Sequence, residues 1–108
     1  MSFEELLAST TKECELFSNP IRALISLSMY KLREGRWADI KRELEEIKGP
    51  INPNTLSFHL GRLLESGLIL KIGPENQPRY TSTEKNDKEI NLKLGTEVIE
   101  KYQERISG

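Results

Sequence analysis

The side chains best suited to chemistry lie between Asn54 and Arg62, and their types favour binding over catalysis. Asn54, Thr55, Ser57 and Arg62 carry hydrogen-bonding groups, and Phe58 adds an aromatic ring. Asparagine can bond an adenine edge, arginine can bond guanine, and threonine or phenylalanine can touch a thymine methyl group. Serine or threonine can instead bond a phosphate. The segment therefore predicts contact with DNA, although an ordinary solvated helix face has a similar polar composition.

Residues Pro53–Ser66 have the pattern of one amphipathic helix that positions these groups. Asn52 can cap its first turn, proline suits the first helical position, and Gly67 supplies a left-handed residue at its end. An apolar face at helical spacing is formed by Leu56, Leu60, Leu63 and Leu64. The candidate residues lie on the opposite face, where Phe58 exposes apolar surface unless a partner covers it. This exposed ring favours a binding role for the face.

Four further helices and three strands are predicted around this segment, within one domain of 108 residues. A capping box of Ser2 and Glu5 opens the first helix, and Gly95 weakens the last one by about 1 kcal/mol. Residues 84–88 are expected to be irregular. The helices cover about 2–17, 20–34, 38–48 and 89–106, and the strands cover about 36–37, 68–72 and 78–83.

Three segments resemble ArsR-type and related archaeal winged-helix transcription regulators. TLSFHLGRLLESGLI (Thr55 to Ile69) is similar to their recognition helix, and NPIRALISLSMYKL (Asn19 to Leu32) is similar to their second helix. Gly73 to Thr83 resembles a wing. The resemblance spans about residues 15–85. It implies a mainly α fold with a small β-hairpin, a winged helix-turn-helix in the order helix, helix, strand, helix, helix, strand, strand, helix.

The function implied by this resemblance is sequence-specific DNA binding and regulation of transcription. The recognition helix (53–66) would enter the major groove, and the wing (68–83) would touch the flanking backbone. Two alternatives remain. One is a winged helix that contacts protein within a larger transcription assembly. The other is a repressor with a small-molecule pocket at a dimer interface, for which the sequence names no effector.

The predicted hairpin supplies further candidates for DNA contact. Lys71 and Arg79 on its strands are candidates for phosphate or minor-groove contact, although charged residues also protect exposed strands from aggregation. Asn76 and Gln77 in its loop can form hydrogen bonds. Glu75 in the same loop departs from the usual basic wing tip.

His59 and Cys14 are the only histidine and the only cysteine in the chain. A metal site needs about three or four ligands, so the resemblance does not extend to metal sensing. His59 lies on the apolar side of its helix and belongs to the family signature, where this residue mostly supports the recognition helix; phosphate contact is the alternative. Trp37 is expected to pack where the first strand meets the wing, and Cys14 is expected to be an inert thiol in the core. No catalytic or cofactor-binding motif is recognised, so neither an enzyme nor a cofactor is predicted.

Apolar stripes on the first and last helices predict a homodimer, because small domains often complete their cores by two-fold pairing. The expected interface consists of Phe3, Leu6, Leu7, Thr10, Leu94, Val98, Tyr102 and Ile106. Two copies would bind half-sites about 34–36 Å apart. The alternative is that both helices fold back on their own subunit.

Composition bears on partners and location. The net charge of −1 counts against coating of nucleic acid by bulk charge. Bases nevertheless outnumber acids between residues 18 and 49, which leaves room for a basic face. The chain shows no apolar run of bilayer length and no signal segment, and a single cysteine suits a reducing compartment. A cytoplasmic location without membrane contact is therefore expected.

Overall fold

The chain is mainly helical with a small three-stranded antiparallel sheet, as the computed structural model of residues 2–107 describes it. The composition of elements is compatible with a winged helix. In chain order the elements are α1 (Phe3–Thr11), α2 (Pro20–Leu32), β1 (Glu34–Gly35), α3 (Trp37–Lys48), α4 (Pro53–Ser66), β2 (Ile69–Ile72), β3 (Arg79–Ser82), α5 (Glu84–Glu89), a π-helical turn (Ile90–Leu94) and α6 (Gly95–Ser107). Among these described helices, none has the length and apolarity needed to cross a bilayer.

The sheet has β3 at its centre, between β1 and β2. β2 and β3 form an antiparallel pair in which Ile69 lies opposite Ser82. Because side chains alternate along a strand, each strand presents alternate residues to the two faces of the sheet. One face turns Ile69 and Tyr80 into the core, and the other leaves Leu70 and Ile72 exposed.

One hydrophobic core joins the helices and the inner face of the sheet. Its largest fully buried side chains are Leu7, Phe17, Leu24, Ile25, Leu27, Met29, Ile40, Leu44, Leu56, Leu63, Leu68 and Tyr102. Members from α2, α3 and α4 pack in the same cluster, so the apolar side of α4 is fixed against the rest of the chain. The opposite side of α4 is thereby turned outward.

A buried polar group links three helices beneath this core. The Tyr102 hydroxyl on α6 donates to Oε1 of Glu43 on α3 at 2.7 Å, and Lys31 Nζ on α2 donates to Oε2 at 3.3 Å. Glu43 is only 8% exposed. Burial and the adjacent carboxylate both raise the pKa of Tyr102, so this hydroxyl remains a donor. The group holds α3 in a defined position relative to α2 and α6.

The predicted bounds of α4 are confirmed at both ends. Asn52 Oδ1 accepts a hydrogen bond from the Asn54 amide at 2.8 Å, and proline follows at the first helical position. Gly67 ends the helix with φ 80°, a left-handed conformation that glycine adopts without steric cost. Its amide donates to the carbonyls of Leu63 and Leu64. Local sequence therefore determines where α4 begins and ends.

The first helix is shorter than predicted, since it ends at Thr11 instead of near Phe17. One half of the predicted capping box is present, because the Ser2 hydroxyl accepts from the Glu5 amide at 3.2 Å. The Glu5 carboxylate accepts from the Ser2 hydroxyl at 3.2 Å, whereas a full capping box has it accept from the Ser2 amide. Thr10 and Thr11 donate their hydroxyls back to carbonyls four residues earlier, at 2.8 Å each. Such bonds and β-branched residues weaken a helix, and the chain leaves it here. Phe17 still reaches the core from the following turn.

The first strand lies two residues earlier than predicted. It occupies Glu34–Gly35, whereas Arg36 and Trp37 were expected to form it. Arg33 ends α2 with φ 67°, an unusual value for a residue with a side chain. Its guanidinium forms two hydrogen bonds of 2.8 Å with the carboxylate of Asp87, which stabilise this conformation. Trp37 is consequently the first residue of α3.

The segment predicted to be irregular, residues 84–88, is helical instead. Thr83 caps α5, since its hydroxyl accepts from the Asn86 amide at 3.2 Å. Asn86 is fully buried and donates to the Ser26 carbonyl at 3.2 Å, so the short helix is anchored to α2.

The last predicted helix is interrupted, because Gly95 does not sit inside a continuous helix. Its φ of 82° separates the π-helical turn from α6, and this backbone bend favours glycine.

Candidate nucleic-acid interface

The exposed side of α4 brings together five of the predicted contact residues. This α4 outer face consists of Asn54, Thr55, Ser57, Phe58 and Arg62, all of which are exposed. The leucines that alternate with them are buried or half-buried. Helical periodicity therefore separates the two faces as the sequence predicts, and the hydrogen-bonding groups face away from the core.

The centre of the α4 outer face combines an exposed aromatic ring with a glycine. Phe58 is 61% exposed, more than either apolar side chain exposed on the hairpin. Gly61, one turn further on, leaves an open space where a Cβ atom would meet no heavy atom within 4 Å. The exposed ring of Phe58 therefore lies near a glycine, and the helix surface is recessed at that glycine. Such a surface can admit a closely fitting partner.

One residue of the face is held in place by another helix. The indole Nε1 of Trp37, at the start of α3, donates a hydrogen bond to the Ser57 hydroxyl at 3.2 Å. Trp37 was expected to join a strand and pack where that strand meets the wing. It lies in α3, is half-buried and packs against the core, and it also contacts the α4 outer face directly. Sequence periodicity cannot detect such a contact, because it joins two helices across the turn between them.

His59 does not share the exposed face with the other candidates. Its side chain is 7% exposed, and Nδ1 lies 3.1 Å from Nη1 of Arg22 on α2. Arginine can only donate, so the histidine nitrogen accepts and its ring is neutral. Burial, together with the positive charges of Arg22 and Arg62, lowers the pKa of His59. Arg22 Nε also donates to the Leu16 carbonyl at 2.8 Å. Arg22 therefore connects His59 on α4 with the segment that follows α1.

Arg62 supplies the positive charge of the α4 outer face, although Glu15 and Glu65 line the same surface pocket as Arg62. Among residues 2–107, Arg62 forms no salt bridge, and the same holds for exposed Arg36 and Lys71. Glu65 is the only acid on α4 and lies near its C-terminal end. The guanidinium of Arg62 is thus available to a partner. Arg36, which directly precedes Trp37, is a basic candidate that sequence reasoning missed, since it was assigned to a strand.

The hairpin β2–β3 does not bring its two basic candidates together. Lys71 lies opposite Tyr80, whereas Arg79 lies opposite Ile72, one position along the ladder. Since side chains alternate between faces, Lys71 and Arg79 point to opposite sides of the sheet. Arg79 also forms a salt bridge with Glu34 on β1, which reduces its availability. Both side chains remain exposed, but one flat surface cannot contact both.

The loop between the two strands is exposed throughout its tip. Asn76 and Gln77 present their amides to solvent, as predicted, and Glu75 lies beside them. Exposed Leu70 and Ile72 share the Arg79 side of the sheet and were not identified as candidates from sequence. Their alternation with Lys71 was a recognisable signal of two distinct faces on this strand.

The residues expected to form a dimer interface are largely internal to the subunit. Phe3, Leu7, Leu94, Val98 and Tyr102 are all buried by their own chain. The rings of Phe3 and Tyr102 stack with centroids 6.0 Å apart, so α1 packs on α6. This arrangement corresponds to the alternative in which both helices fold back. The interface assignment is therefore wrong for these five side chains.

The remaining three members of that set, Leu6, Thr10 and Ile106, are half-buried.

Within the described part of the chain, no three histidine, cysteine or acidic side chains converge as metal ligands. Cys14 is half-buried, and it packs against the core without entering it fully.

Comparison with known proteins adds no family to this description. No protein-family model matches the chain, and no curated protein matches it significantly. The assignment of function therefore depends on the geometry of the α4 outer face and of the hairpin.

Proposed function

We propose that this chain is a DNA-binding regulator of transcription with a winged helix-turn-helix fold. In this proposal α3 and α4 form the helix-turn-helix, α4 is the recognition helix in the major groove, and the hairpin β2–β3 is the wing. The observation that carries the proposal is the α4 outer face. It is exposed over two turns, is rich in hydrogen-bonding groups and carries Arg62, which forms no salt bridge within residues 2–107.

The dimensions and chemistry of that face suit a DNA groove. A B-form major groove is about 12 Å wide and accepts one α-helix, whose side chains meet base edges. Asn54 and Arg62 can each form paired hydrogen bonds with a purine, and Phe58 can cover a thymine methyl group. Lys71 or Arg79 can contact the backbone from the hairpin, but their opposite orientations mean that only one does so in a given arrangement.

The proposal is tested by selecting duplexes from random DNA with the full chain and then measuring affinity at fixed salt. Arg62→Ala should weaken binding about tenfold, since a bidentate arginine–guanine contact contributes about 1–3 kcal/mol. Lys101→Ala is the matched control, because it removes an exposed positive charge from α6. Both variants should unfold at the wild-type temperature. Equal affinity of all three proteins would reject the proposal.

A protein-contact role is the second candidate, and exposed apolar side chains favour it. Phe58, Leu70 and Ile72 are large, apolar and exposed. Aromatic side chains are enriched at the centres of protein interfaces. Salt dependence separates the two functions: DNA affinity falls steeply with salt as counterions are released, whereas an apolar protein contact is far less sensitive.

The proposal includes a homodimer that acts in the cytoplasm, and it names no small-molecule effector. Two copies would bind two half-sites if they pair, and the partly exposed Leu6, Thr10 and Ile106 are the members of the predicted interface still able to contribute. Sedimentation equilibrium of the free protein and of its DNA complex distinguishes one copy from two.

A further inference from the structure

We infer that Trp37 is a positioning residue that holds the Ser57 oxygen toward α3 and keeps the Ser57 hydrogen available to the DNA, so that Ser57 favours a hydrogen-bond acceptor. The inference rests on the proposed function, because it assigns a role within the same site. The acceptor is either a purine N7, guanine O6 or thymine O4 on a base edge, or a phosphate oxygen.

The direction of the Trp37–Ser57 hydrogen bond carries the argument. An indole N–H can only donate, so at 3.2 Å the serine oxygen must accept. A hydroxyl has one hydrogen and two lone pairs. After accepting from Trp37, Ser57 retains its hydrogen, and within residues 2–107 that hydrogen has no acceptor. Because Ser57 is exposed on the α4 outer face, the hydrogen is available to a partner.

Three other hydroxyls on the helices donate to their own backbone. Thr10, Thr11 and Ser66 donate their hydrogens back to backbone carbonyls three or four residues earlier, each at 2.8 Å. This back-bonding is the usual local alternative for a hydroxyl on a helix. Within residues 2–107, Ser57 makes no such bond, and neither do the buried Ser26 and Ser28 on α2. Ser57 differs from these two serines because its oxygen accepts a hydrogen bond from Trp37 on α3. Loss of Trp37 would leave the serine free to turn back to its own helix.

The donor role has a consequence for sequence preference. Adenine N6 and cytosine N4 are donors in the major groove, whereas guanine O6, purine N7 and thymine O4 are acceptors. A hydroxyl whose oxygen already accepts from Trp37 favours the second group. If the acceptor is a base edge, removing the hydroxyl changes the preferred base at one position. If it is a phosphate, affinity falls equally for all sequences.

A double-mutant cycle on DNA affinity tests the inference, with the full chain and a duplex selected by the wild-type protein. Ser57→Ala should weaken binding about tenfold and Trp37→Phe about threefold to tenfold. The double variant should bind no worse than Ser57→Ala alone, because Trp37 acts through the serine. Ser57→Thr, which keeps a hydroxyl, should recover most of the affinity. Repeating the selection with Ser57→Ala separates base readout from phosphate contact.

Thermal unfolding of each variant shows whether a loss of affinity reflects a loss of fold. Ser57 is exposed, so its alanine variant tests the donor role even if Trp37→Phe is unstable. Additive losses in the double variant, or binding that Ser57→Ala leaves unchanged, would overturn the inference while leaving DNA binding intact. Failure of the wild-type chain to bind any duplex would overturn the proposed function, and this inference with it.

Discussion

Gly61 offers a substitution for which stability and binding should change in opposite directions. It lies inside α4, where glycine costs up to about 1 kcal/mol relative to alanine. A Cβ atom at this position would meet no heavy atom within 4 Å, and the backbone is not left-handed. Gly61→Ala should therefore raise the free energy of unfolding by about 0.5–1 kcal/mol. The melting temperature should rise by about 2–6 °C.

The same methyl group should weaken DNA binding. Gly61 follows Ser57 by one helical turn and lies next to Phe58 on the helix surface, so a base edge or backbone that contacts these residues must come close to the glycine. An added methyl group at a closely packed contact costs about 1–3 kcal/mol. We expect affinity to fall about tenfold for alanine and further for leucine at this position.

Urea denaturation and fluorescence anisotropy with a labelled duplex measure the two effects on the same samples. Gln103→Ala on α6 is the control, since it also improves helix propensity on an exposed surface but lies on another helix. It should leave DNA affinity unchanged. A Gly61→Ala protein that is stabilised and binds DNA as well as the wild type would refute close approach at this position. If Gly61→Ala lowers the free energy of unfolding, the helix does not have room for a Cβ atom at this position.

Three further outcomes are expected. Tyr102→Phe should lower the free energy of unfolding, measured in urea, by about 1.5–3 kcal/mol, because it removes a hydrogen bond to the buried carboxylate of Glu43. Unchanged stability would mean that this hydrogen bond contributes nothing. His59 has a lowered pKa in the folded chain, so the unfolded chain binds the proton more tightly and stability should fall as the pH drops below about 6.5. His59→Gln should remove this dependence in denaturation measured from pH 7.5 to 5, and a wild-type stability that is flat over that range would count against a buried neutral ring. Glu34→Gln should release Arg79 from its salt bridge, raising DNA affinity about twofold to threefold and steepening its salt dependence; no change in either would place Arg79 away from the DNA.

Local sequence predicted α4 completely, because its cap, its first proline and its final glycine are neighbours in the chain. The same local rules apply at Thr83, whose hydroxyl caps α5. The short polar segment after it lacks an apolar stripe, and such a pattern predicts irregular structure. The position of β1 could not be predicted, since it depends on the strained Arg33 and its long-range pairing with Asp87.

The composition of the candidate site was predictable, but its internal connections were not. Helical periodicity placed Asn54, Ser57 and Arg62 on one exposed face and His59 on the other side. It could not show that Trp37 donates to Ser57, because that contact depends on how α3 packs beside α4. The apolar stripe of α6 also could not distinguish packing on α1 from packing on a second copy, since both bury the same side chains.

Mapping of backbone amide shifts by NMR shows whether DNA binds to the α4 outer face. The ¹⁵N-labelled full chain is titrated with a duplex selected from random DNA. We expect the largest shifts in residues 54–62 and at Trp37 and smaller shifts in the hairpin. The amides of α6 should be unchanged away from any dimer contact. Shifts concentrated on α1 and α6, with residues 54–62 unaffected, would contradict binding at the α4 outer face.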